Sequence, residues 1–133
     1  MLQKFASNDR FARFTGITLI DAGKGWAKAS PTVREEQLNS VGTVHGGVIF
    51  TLADFVFAVS CNSHGNVAVA ITATISYFKA VTDGALTALS REISLNRKIS
   101  SYLIDITNEE GSLVAQFQGT AYRKSEMHPG ADE

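Results

Sequence analysis

The sequence lacks the features that mark several large classes of protein. Cys61 is the one cysteine among 133 residues, so the chain cannot hold an internal disulfide, which favours a reducing compartment. The longest apolar run, residues 48–59, is interrupted by Asp54 and is shorter than the roughly 20 residues of a membrane-spanning helix. We therefore expect a cytoplasmic protein that does not cross a membrane.

Charge and the N-terminal segment also give little sign of a special partner or destination. With 12 basic and 13 acidic residues the formal net charge is -1, and no block of lysine and arginine marks a surface for nucleic acid or acidic lipid. Residues 1–14 carry charges between their phenylalanines and lack the apolar core of a secretory signal. We expect a soluble domain with no nucleic-acid or membrane partner.

Several motifs of metal and phosphate chemistry are missing. The three histidines, His45, His64 and His128, show no i, i+4 spacing, and Cys61 with His64 supplies two metal ligands at most. No lysine follows the glycines at 46 and 47 as in a phosphate-binding loop, and no Gly-x-Ser-x-Gly element is present. We expect neither a metal nor a cofactor.

Hydrophobic periodicity predicts an α+β domain over residues 1–123. Phe5, Phe11 and Phe14 predict one short amphipathic helix that packs on the domain. Residues 17–20 and 25–30 are predicted to form two strands of a hairpin, joined by a glycine-bearing turn. Alternation of side chains predicts further strands at residues 67–78, 85–95, 101–107 and 113–122. The polar residues 124–133 are expected to form a flexible tail.

The apolar run 48–59 predicts one long helix. Because it is apolar on all sides, this helix should be buried, and a sheet can bury a single helix by curling around it. A face or an edge of that sheet is then left for a partner subunit.

Asp54 needs an explanation because, apart from Thr51, the residues of this run are apolar. An ionised carboxylate without a partner is unfavourable in a core, so Asp54 should be paired, protonated or facing a cleft. Gly46 and Gly47 come at the first turn of the same helix, where backbone amides lack an acceptor and the helix dipole is positive. Without side chains in the way, these amides can bind an oxyanion, although a glycine pair can also simply form a tight turn.

The spacing of these groups predicts a site shared between two subunits. Gly47 and Asp54 are seven residues apart, which is roughly 10 Å along a helix axis at 1.5 Å per residue. One helix cannot direct both groups to one atom. Two antiparallel helices of a homodimer can, since the Gly47 amide of one protomer then faces the Asp54 carboxylate of its partner.

Three further residues are weaker candidates. His45 can polarise a substrate or hold the loop before the glycines. Asn39 can bind a water or cap a turn, and capping is the commoner use of asparagine. Thr72 is predicted to share a strand face with Ala70 and Thr74, where its hydroxyl can orient Asp54, although exposed threonines are ordinary in strands.

The motif around these residues resembles a known family. Asn39-x-x-Gly42-x-x-His45-Gly46-Gly47, followed by Leu52-Ala53-Asp54, is similar to the signature of hotdog-fold acyl-CoA thioesterases, above all their phenylacetate-pathway branch. The resemblance extends from about residue 14 to 123. It implies a curved antiparallel sheet wrapped around one helix, a dimer with one continuous sheet, and a homotetramer made of two dimers.

The resemblance also implies roles for individual residues. Asp54 would be the general base or nucleophile, and the Gly47 amide would polarise the thioester carbonyl, assisted by Asn39 and His45. Some relatives have serine where this chain has Ala70, and Thr72 would replace that hydroxyl. The implied substrate is an acyl-CoA.

Coenzyme A carries phosphates, so cations should lie near the mouth of the site. Lys79, Arg97, Lys98 and Arg123 are candidate phosphate contacts, with Gly46 at the helix start. Each of these cations, taken singly, can equally be a solvated turn charge.

Two alternatives to a hydrolase stay open at this point. A non-catalytic module that binds acyl-CoA or an aromatic ligand would need the pocket but not the Asp54 carboxylate. Hydratase chemistry on the same fold is disfavoured, because the His-x-x-x-Pro-Gly pattern of many such enzymes is absent.

Overall fold

The computed structural model describes residues 1–83 and 85–131, and within these ranges it contains three α-helices and six strands. The helices are α1 (Leu2–Ser7), α2 (Arg10–Thr15) and α3 (Gly46–Cys61). The strands are β1 (Ile17–Gly23), β2 (Trp26–Pro31), β3 (Asn66–Tyr77), β4 (Thr87–Leu95), β5 (Ile99–Thr107) and β6 (Leu113–Met127). A single turn of 3₁₀-helix, Glu35–Gln37, lies in the segment before α3.

The six strands form one antiparallel sheet in the order β1-β2-β4-β5-β6-β3. The sheet curls around α3, which packs against β2, β3, β4, β5 and β6. Ten of the 16 residues of α3 are buried, as expected for a helix that is apolar on all sides. The α+β prediction is therefore confirmed, and so is the start of the long helix at the two glycines.

The core is formed where α3 meets the concave face of the sheet. Phe57 of α3 packs against Tyr102 and Phe117, with ring centroids 5.9 and 5.7 Å apart. Gly119 makes this packing possible, because a Cβ at that position would approach the Phe57 ring to 2.8 Å. The helix axis is thereby fixed against β6, and its first turn lies beside the last residues of β3.

The N-terminal segment differs from the single helix expected. The chain breaks at Asn8 and Asp9 into two short helices, because the Asp9 side chain accepts the Ala12 N–H and caps α2. Phe5 packs against the core as predicted. Phe11 and Phe14, in contrast, are 64% and 65% exposed, so the prediction that all three rings pack on the domain is wrong.

The strand β3 is an edge strand with a break in its alternation. Ala70 is opposite Ala121 whereas Thr72 is opposite Thr120, so one extra residue, Ile71, is inserted as a bulge. Val69 and the later Tyr77, which sequence parity assigns to one face, therefore lie on opposite faces. Val69, Ile71 and Tyr77 are also well exposed, and the outer edge of β3 pairs with no strand of the described residues.

The last strand runs further than predicted. Residues 124–127, expected to begin a flexible tail, belong to β6. Beyond them the His128 N–H donates to Gly65 O, and its ring Nε2 lies 2.6 Å from Asn62 Oδ1. The predicted domain boundary at residue 123 thus falls inside a strand, and residues 132 and 133 of the expected tail lie outside the described residues.

Candidate active site

The first turn of α3 is capped by His45. Its ring Nδ1 accepts the Gly47 N–H at 2.8 Å, which satisfies one of the orphan amides of the helix start. Of the two roles considered for His45, the loop-holding role is thus observed. The Gly47 amide, predicted to polarise a carbonyl, is occupied in this state, although both His45 and Gly47 are exposed.

The Gly46 amide is differently placed. Among residues 1–83 and 85–131 its N–H has no hydrogen-bond acceptor, while its carbonyl accepts from the Tyr77 hydroxyl at 2.9 Å. A Cβ on Gly46 would lie 3.3 Å from the Tyr77 ring and hydroxyl. The glycine therefore lets the end of β3 lie directly against the helix start.

Asp54 is half-buried two turns further along α3. Burial raises the pKa of its carboxyl, and the nearby negative charge of Asp9 raises this pKa further. No hydrogen bond within the described part of the chain stabilises the charged form. The carboxyl is therefore a stronger base than an ordinary aspartate once it is ionised, which suits proton abstraction.

Gly47 and Asp54 share one face of α3 with Thr51 and Ala58. These positions are spaced by four, three and four residues, which places them in one row along a helix, and none of the four is fully buried. This row is the part of α3 that the sheet leaves uncovered. Gly47 and Asp54 are still separated by two turns, so a single protomer does not bring them to one point.

Asn39 holds the loop before the helix rather than pointing to an empty space. Its side-chain oxygen accepts the Val41 and Thr43 N–H groups at 3.1 Å, and its amide nitrogen donates to Thr43 Oγ1 at 2.8 Å. Turn capping, the commoner of the two roles considered for Asn39, is the one observed. Asn39 and Gly46 line the same cavity at the start of α3.

Thr72 is not brought to Asp54 within the protomer. It is opposite Thr120, which is adjacent in sequence to Gly119, and Gly119 faces Phe57 of α3. Since side chains alternate along a strand, Thr120 and Thr72 lie on the face of the sheet away from the helix. The expectation that Thr72 shares a face with Ala70 is wrong, because the bulge at Ile71 shifts the alternation by one.

Two cavities open on either side of the helix start. The larger, of about 700 Å³, is lined by side chains of α2, the first turns of α3 and Tyr77, and includes His45 and Gly47. The smaller, of about 320 Å³, includes Asn39, Gly46 and Lys79, and again Tyr77. Phe50 lines the larger cavity, whereas Phe55 and Phe57 are buried in the core.

The four candidate phosphate-binding cations separate into two groups. Lys79 is next to the helix start in the smaller cavity. Arg97 and Lys98 are exposed in the β4–β5 turn. This turn lies near the start of β3, at the other end of that strand from Tyr77, because the Arg123 N–H donates to Lys98 O and Arg123 is opposite Ala68. From Ala68 to Tyr77 a strand extends roughly 30 Å, so this group is remote from Gly46 of its own protomer.

Sequence reasoning missed two features of this region. It did not identify the Tyr77 hydroxyl as a donor to Gly46 O, and it assigned Phe11 and Phe14 to packing. A signal for the second was present, since Arg10 and Arg13 accompany these rings within a helix of only six residues. For residues 1–83 and 85–131, no three His, Cys, Asp or Glu side chains are grouped as for a metal.

Comparisons with known proteins agree with this geometry. Acyl-coenzyme A thioesterase PaaI of Escherichia coli is 37% identical over 117 residues, which cover 87% of this chain and 84% of that protein. The solved structure of E. coli PaaI, from the phenylacetic acid degradation operon, matches with a TM-score of 0.90 and 34% identity, covering 94% of this chain and 91% of that one. The curled six-stranded sheet around α3 is thus the hotdog fold that the motif resemblance implies.

A second solved structure, a hypothetical thioesterase of Streptococcus pneumoniae with coenzyme A, matches with a TM-score of 0.85 and 27% identity, over 95% of this chain and 99% of that one. No helix of the described residues is long and apolar enough to span a membrane. The model of the thioesterase superfamily matches residues 41–115, a segment that contains the Asn39-to-Asp54 motif from Val41 onward, with all of α3 and β3. The chain belongs to the thioesterase superfamily and is a thioester hydrolase.

Proposed function

We propose that this chain hydrolyses acyl-CoA thioesters, with aryl or medium-length acyl groups, to the free acid and coenzyme A. The observation that carries the proposal is the half-buried Asp54 carboxyl, which has a raised pKa and shares the uncovered face of α3 with Gly47. The name of the E. coli relative, an acyl-coenzyme A thioesterase, supports the same substrate class. No cofactor is needed, because hydrolysis requires only water, a base and an oxyanion donor.

The site is completed by a second copy of the chain. The outer edge of β3 has no strand partner among the described residues and exposes Val69, Ile71 and Tyr77, and such an edge readily pairs with another strand. Two-fold pairing of β3 with its partner copy makes the sheet continuous and sets the two α3 helices antiparallel. Gly47 of one protomer then faces Asp54 of the other. A dimer of such dimers is the proposed assembly in solution.

In this arrangement the thioester carbonyl binds at the helix start. The Gly47 N–H donates to the carbonyl oxygen, and the positive end of the helix dipole stabilises the negative charge that develops there. To do so it must leave His45 Nδ1, so substrate binding exchanges one acceptor for another. The Gly46 N–H, free of an acceptor among the described residues, provides a second donor nearby.

Asp54 of the partner subunit supplies the base. Its carboxylate takes a proton from a water molecule while the water oxygen attacks the carbonyl carbon, which gives a tetrahedral oxyanion. Collapse of this intermediate breaks the C–S bond and releases the thiolate, which is protonated to give coenzyme A. In the alternative route the carboxylate itself attacks, and water then cleaves the resulting mixed anhydride.

The two-fold arrangement also gives the remote cations a role. When β3 pairs antiparallel with its copy, the start of one strand lies beside the end of the other. The turn with Arg97 and Lys98 then approaches the partner's Tyr77 and Lys79, although it is far from Tyr77 of its own protomer. Arg123 fixes this turn, since its guanidinium donates to Asn96 O at 2.7 Å. These cations are proposed to bind the phosphates of coenzyme A across the dimer.

The experiment that tests the proposal measures release of free thiol from a panel of aryl- and alkyl-acyl-CoAs. Wild type and Asp54→Asn are compared, and gel filtration checks that both keep the same assembly. Turnover by the wild type and its loss in Asp54→Asn are the expected results. Equal turnover by both proteins would contradict the assigned base, and binding without turnover by the wild type would favour the non-catalytic module.

A single turnover in H₂¹⁸O detects the nucleophilic route whenever water opens the anhydride at the Asp54 carbonyl. If water attacks directly, the label enters the acid product alone. If Asp54 is the nucleophile, the mixed anhydride is opened by water at one of its two carbonyls. Label found in the Asp54 side chain by peptide mass spectrometry would then establish the covalent route.

A further inference from the structure

Tyr77 stands between the two cavities at the start of α3. Its side chain lines both the cavity of about 700 Å³ and that of about 320 Å³, and its hydroxyl is fixed by the hydrogen bond to Gly46 O. Gly47 opens to the larger cavity and Gly46 to the smaller one. A thioester whose carbonyl binds at these amides extends in two directions, with the acyl group on one side and coenzyme A on the other. One cavity is available to each part.

The larger cavity has an aromatic wall from the N-terminal helix pair. Phe11 and Phe14 of α2 lie with ring centroids 6.4 Å apart, and Val48 and Phe50 of α3 also line the cavity. Two phenylalanine rings that are each more than 60% exposed are unfavourable on a surface, and neighbouring exposed rings mark a binding site. This wall suits an apolar group.

Arg34 holds the aromatic wall in place. Its guanidinium lies 5.9 Å from the centroid of the Phe14 ring and donates to Phe14 O at 3.2 Å. An exposed ring on a helix of six residues would otherwise be free to move. Contacts that restrict the ring before a ligand binds reduce the side-chain entropy lost on binding.

The smaller cavity has a different lining. Beside apolar residues such as Ile49 and Val81, it is lined by Asn39, Thr43 and the positively charged Lys79. These groups suit the amides of the pantetheine arm and the phosphates beyond it. The pair of phenylalanine rings in the larger cavity and the Lys79 charge in the smaller one give the thioester a direction.

We propose that Tyr77 divides the substrate, with the acyl group in the aromatic cavity under α2 and the coenzyme A arm in the cavity of Lys79, and that Phe11 and Phe14 determine acyl selectivity. This inference rests on the proposed function for its substrate. It adds a boundary between the two arms and a specificity role for α2. Arg34 acts through Phe14 and is a positioning residue.

Two acyl-CoAs whose acyl groups have the same number of carbon atoms but different shapes test whether the aromatic wall determines selectivity. Phenylacetyl-CoA and octanoyl-CoA fill the cavity differently, and acetyl-CoA does not reach it. In Phe14→Ala, kcat/KM for phenylacetyl-CoA should fall roughly tenfold or more, because a lost pocket contact changes discrimination on that scale. Acetyl-CoA should change less than about twofold, and dodecanoyl-CoA should gain relative to phenylacetyl-CoA because the cavity is longer.

Phe5→Leu and Phe14→Leu form a matched pair of variants. Phe5 lies on α1, packs edge-on against His128 at 5.1 Å, and is not part of the cavity lining. The inference predicts altered selectivity in Phe14→Leu and unchanged selectivity in Phe5→Leu. Equal acyl selectivity in wild type and both Phe14 variants would overturn it, as would loss of the assembly in Phe14→Ala, which would identify the ring as a subunit contact.

A titration that needs no turnover keeps this inference separate from the proposed function. S-phenethyl-CoA carries an aryl group but no thioester carbonyl, so it is bound without reaction. Its Kd should rise roughly tenfold in Phe14→Ala, while the Kd of coenzyme A alone stays unchanged. Tight binding with no hydrolysis of any acyl-CoA would reject the proposed function and keep this cavity assignment, whereas equal Kd values in an active enzyme would reject the assignment alone.

Discussion

The two ends of α3 are built in opposite ways. At its C-terminal end the polar groups are buried and paired: Asn62 accepts the Ala68 N–H at 2.9 Å and donates to Ala58 O at 2.8 Å, and Ser63 accepts the Gly25 N–H at 2.8 Å. At its N-terminal end Gly47 is exposed and Gly46 offers an N–H with no acceptor among the described residues. One helix thus has a closed end and an open end.

Further polar contacts close the C-terminal end. His64 Nε2 lies 3.0 Å from Glu92 Oε1, which ties the loop after α3 to β4. His128 ties it to the end of β6 through Asn62. His64 and His128 near this end therefore have partners, whereas the Asp54 carboxyl, in the uncovered row of α3, has a raised pKa and no hydrogen-bond partner among residues 1–83 and 85–131.

This difference teaches where chemistry is possible on an apolar helix. Polar groups that satisfy each other stabilise the fold and have nothing left for a ligand. Groups left unsatisfied lower stability and are available to a substrate. Changes at the closed end should therefore affect stability, and changes in the row of α3 that the sheet leaves uncovered should affect turnover.

The largest expected effect is at Asp54. Asp54→Asn should lower kcat about 10²- to 10⁴-fold, the usual contribution of a general base. The same variant should be more stable than wild type at neutral pH, because the raised pKa means that ionisation of Asp54 disfavours the folded state. Steady-state kinetics and chemical denaturation measure the two effects.

The pH dependence of that stability difference has a definite sign. Below the ordinary pKa of 3.8 the carboxyl is neutral in both the folded and the unfolded chain, so wild type and variant should be alike. As pH rises through the raised folded-state pKa, wild type loses stability relative to Asp54→Asn. A variant that is less stable than wild type at neutral pH would show that Asp54 has a stabilising partner in the assembly.

At the closed end we expect the reverse pattern. Asn62→Ala removes the hydrogen-bond partner of the buried Ala68 N–H and of the His128 ring. This loss should lower the free energy of unfolding by about 1–3 kcal/mol. Its kcat per folded protein should stay within about twofold of wild type, since the change lies more than one full turn from Asp54. A large loss of kcat with unchanged stability would contradict the division between the two ends.

Variants of His45 test the cap on the first turn of α3, where a smaller effect is expected. His45→Ala removes the side-chain acceptor of the Gly47 N–H and should cost about 1 kcal/mol of stability, whereas His45→Asn can still cap the helix and should cost less. Denaturation curves of the two variants measure the difference. If both variants are as stable as wild type, the His45 cap contributes nothing to the fold.

The smallest effect is expected at Asp9. Asp9→Asn removes a negative charge that raises the pKa of Asp54 but keeps a side chain able to cap α2. The pKa of Asp54 should fall, so the acid limb of the pH profile of kcat/KM should move to lower pH. An unchanged or raised limb would mean that Asp9 does not act on Asp54 in the assembly.

Much of the fold follows from the sequence, because burial patterns decide it. The run around Asp54 could only be a buried helix, and period-two runs gave the strands. The bulge at Ile71 was not predictable, since an inserted residue leaves composition and local pattern intact while it reverses the faces around it. Thr72 was therefore assigned to the wrong face. The break at Asp9 was missed for a related reason, because capping by one side chain outweighed a continuous helical pattern.

The candidate site was predictable in its parts but not in its contacts. Asp54 and Gly47 stand out because a carboxylate and a bare amide are costly in an apolar helix. The occupation of the Gly47 N–H by His45, and the hydroxyl of Tyr77 on Gly46, depend on rotamers that no spacing rule contains. Which protomer supplies each group depends on how the subunits assemble, and the spacing of residues in one chain does not determine that.

Subunit complementation tests the central claim most directly. Asp54→Asn and Gly47→Val, each inactive alone, are unfolded together and refolded as a mixture. If Gly47 of one protomer works with Asp54 of the partner, each mixed dimer has one intact site, and a statistical mixture should regain about a quarter of wild-type activity. If the mixture, with mixed dimers verified by mass spectrometry, stays as inactive as its components, the site does not join the two protomers in this way.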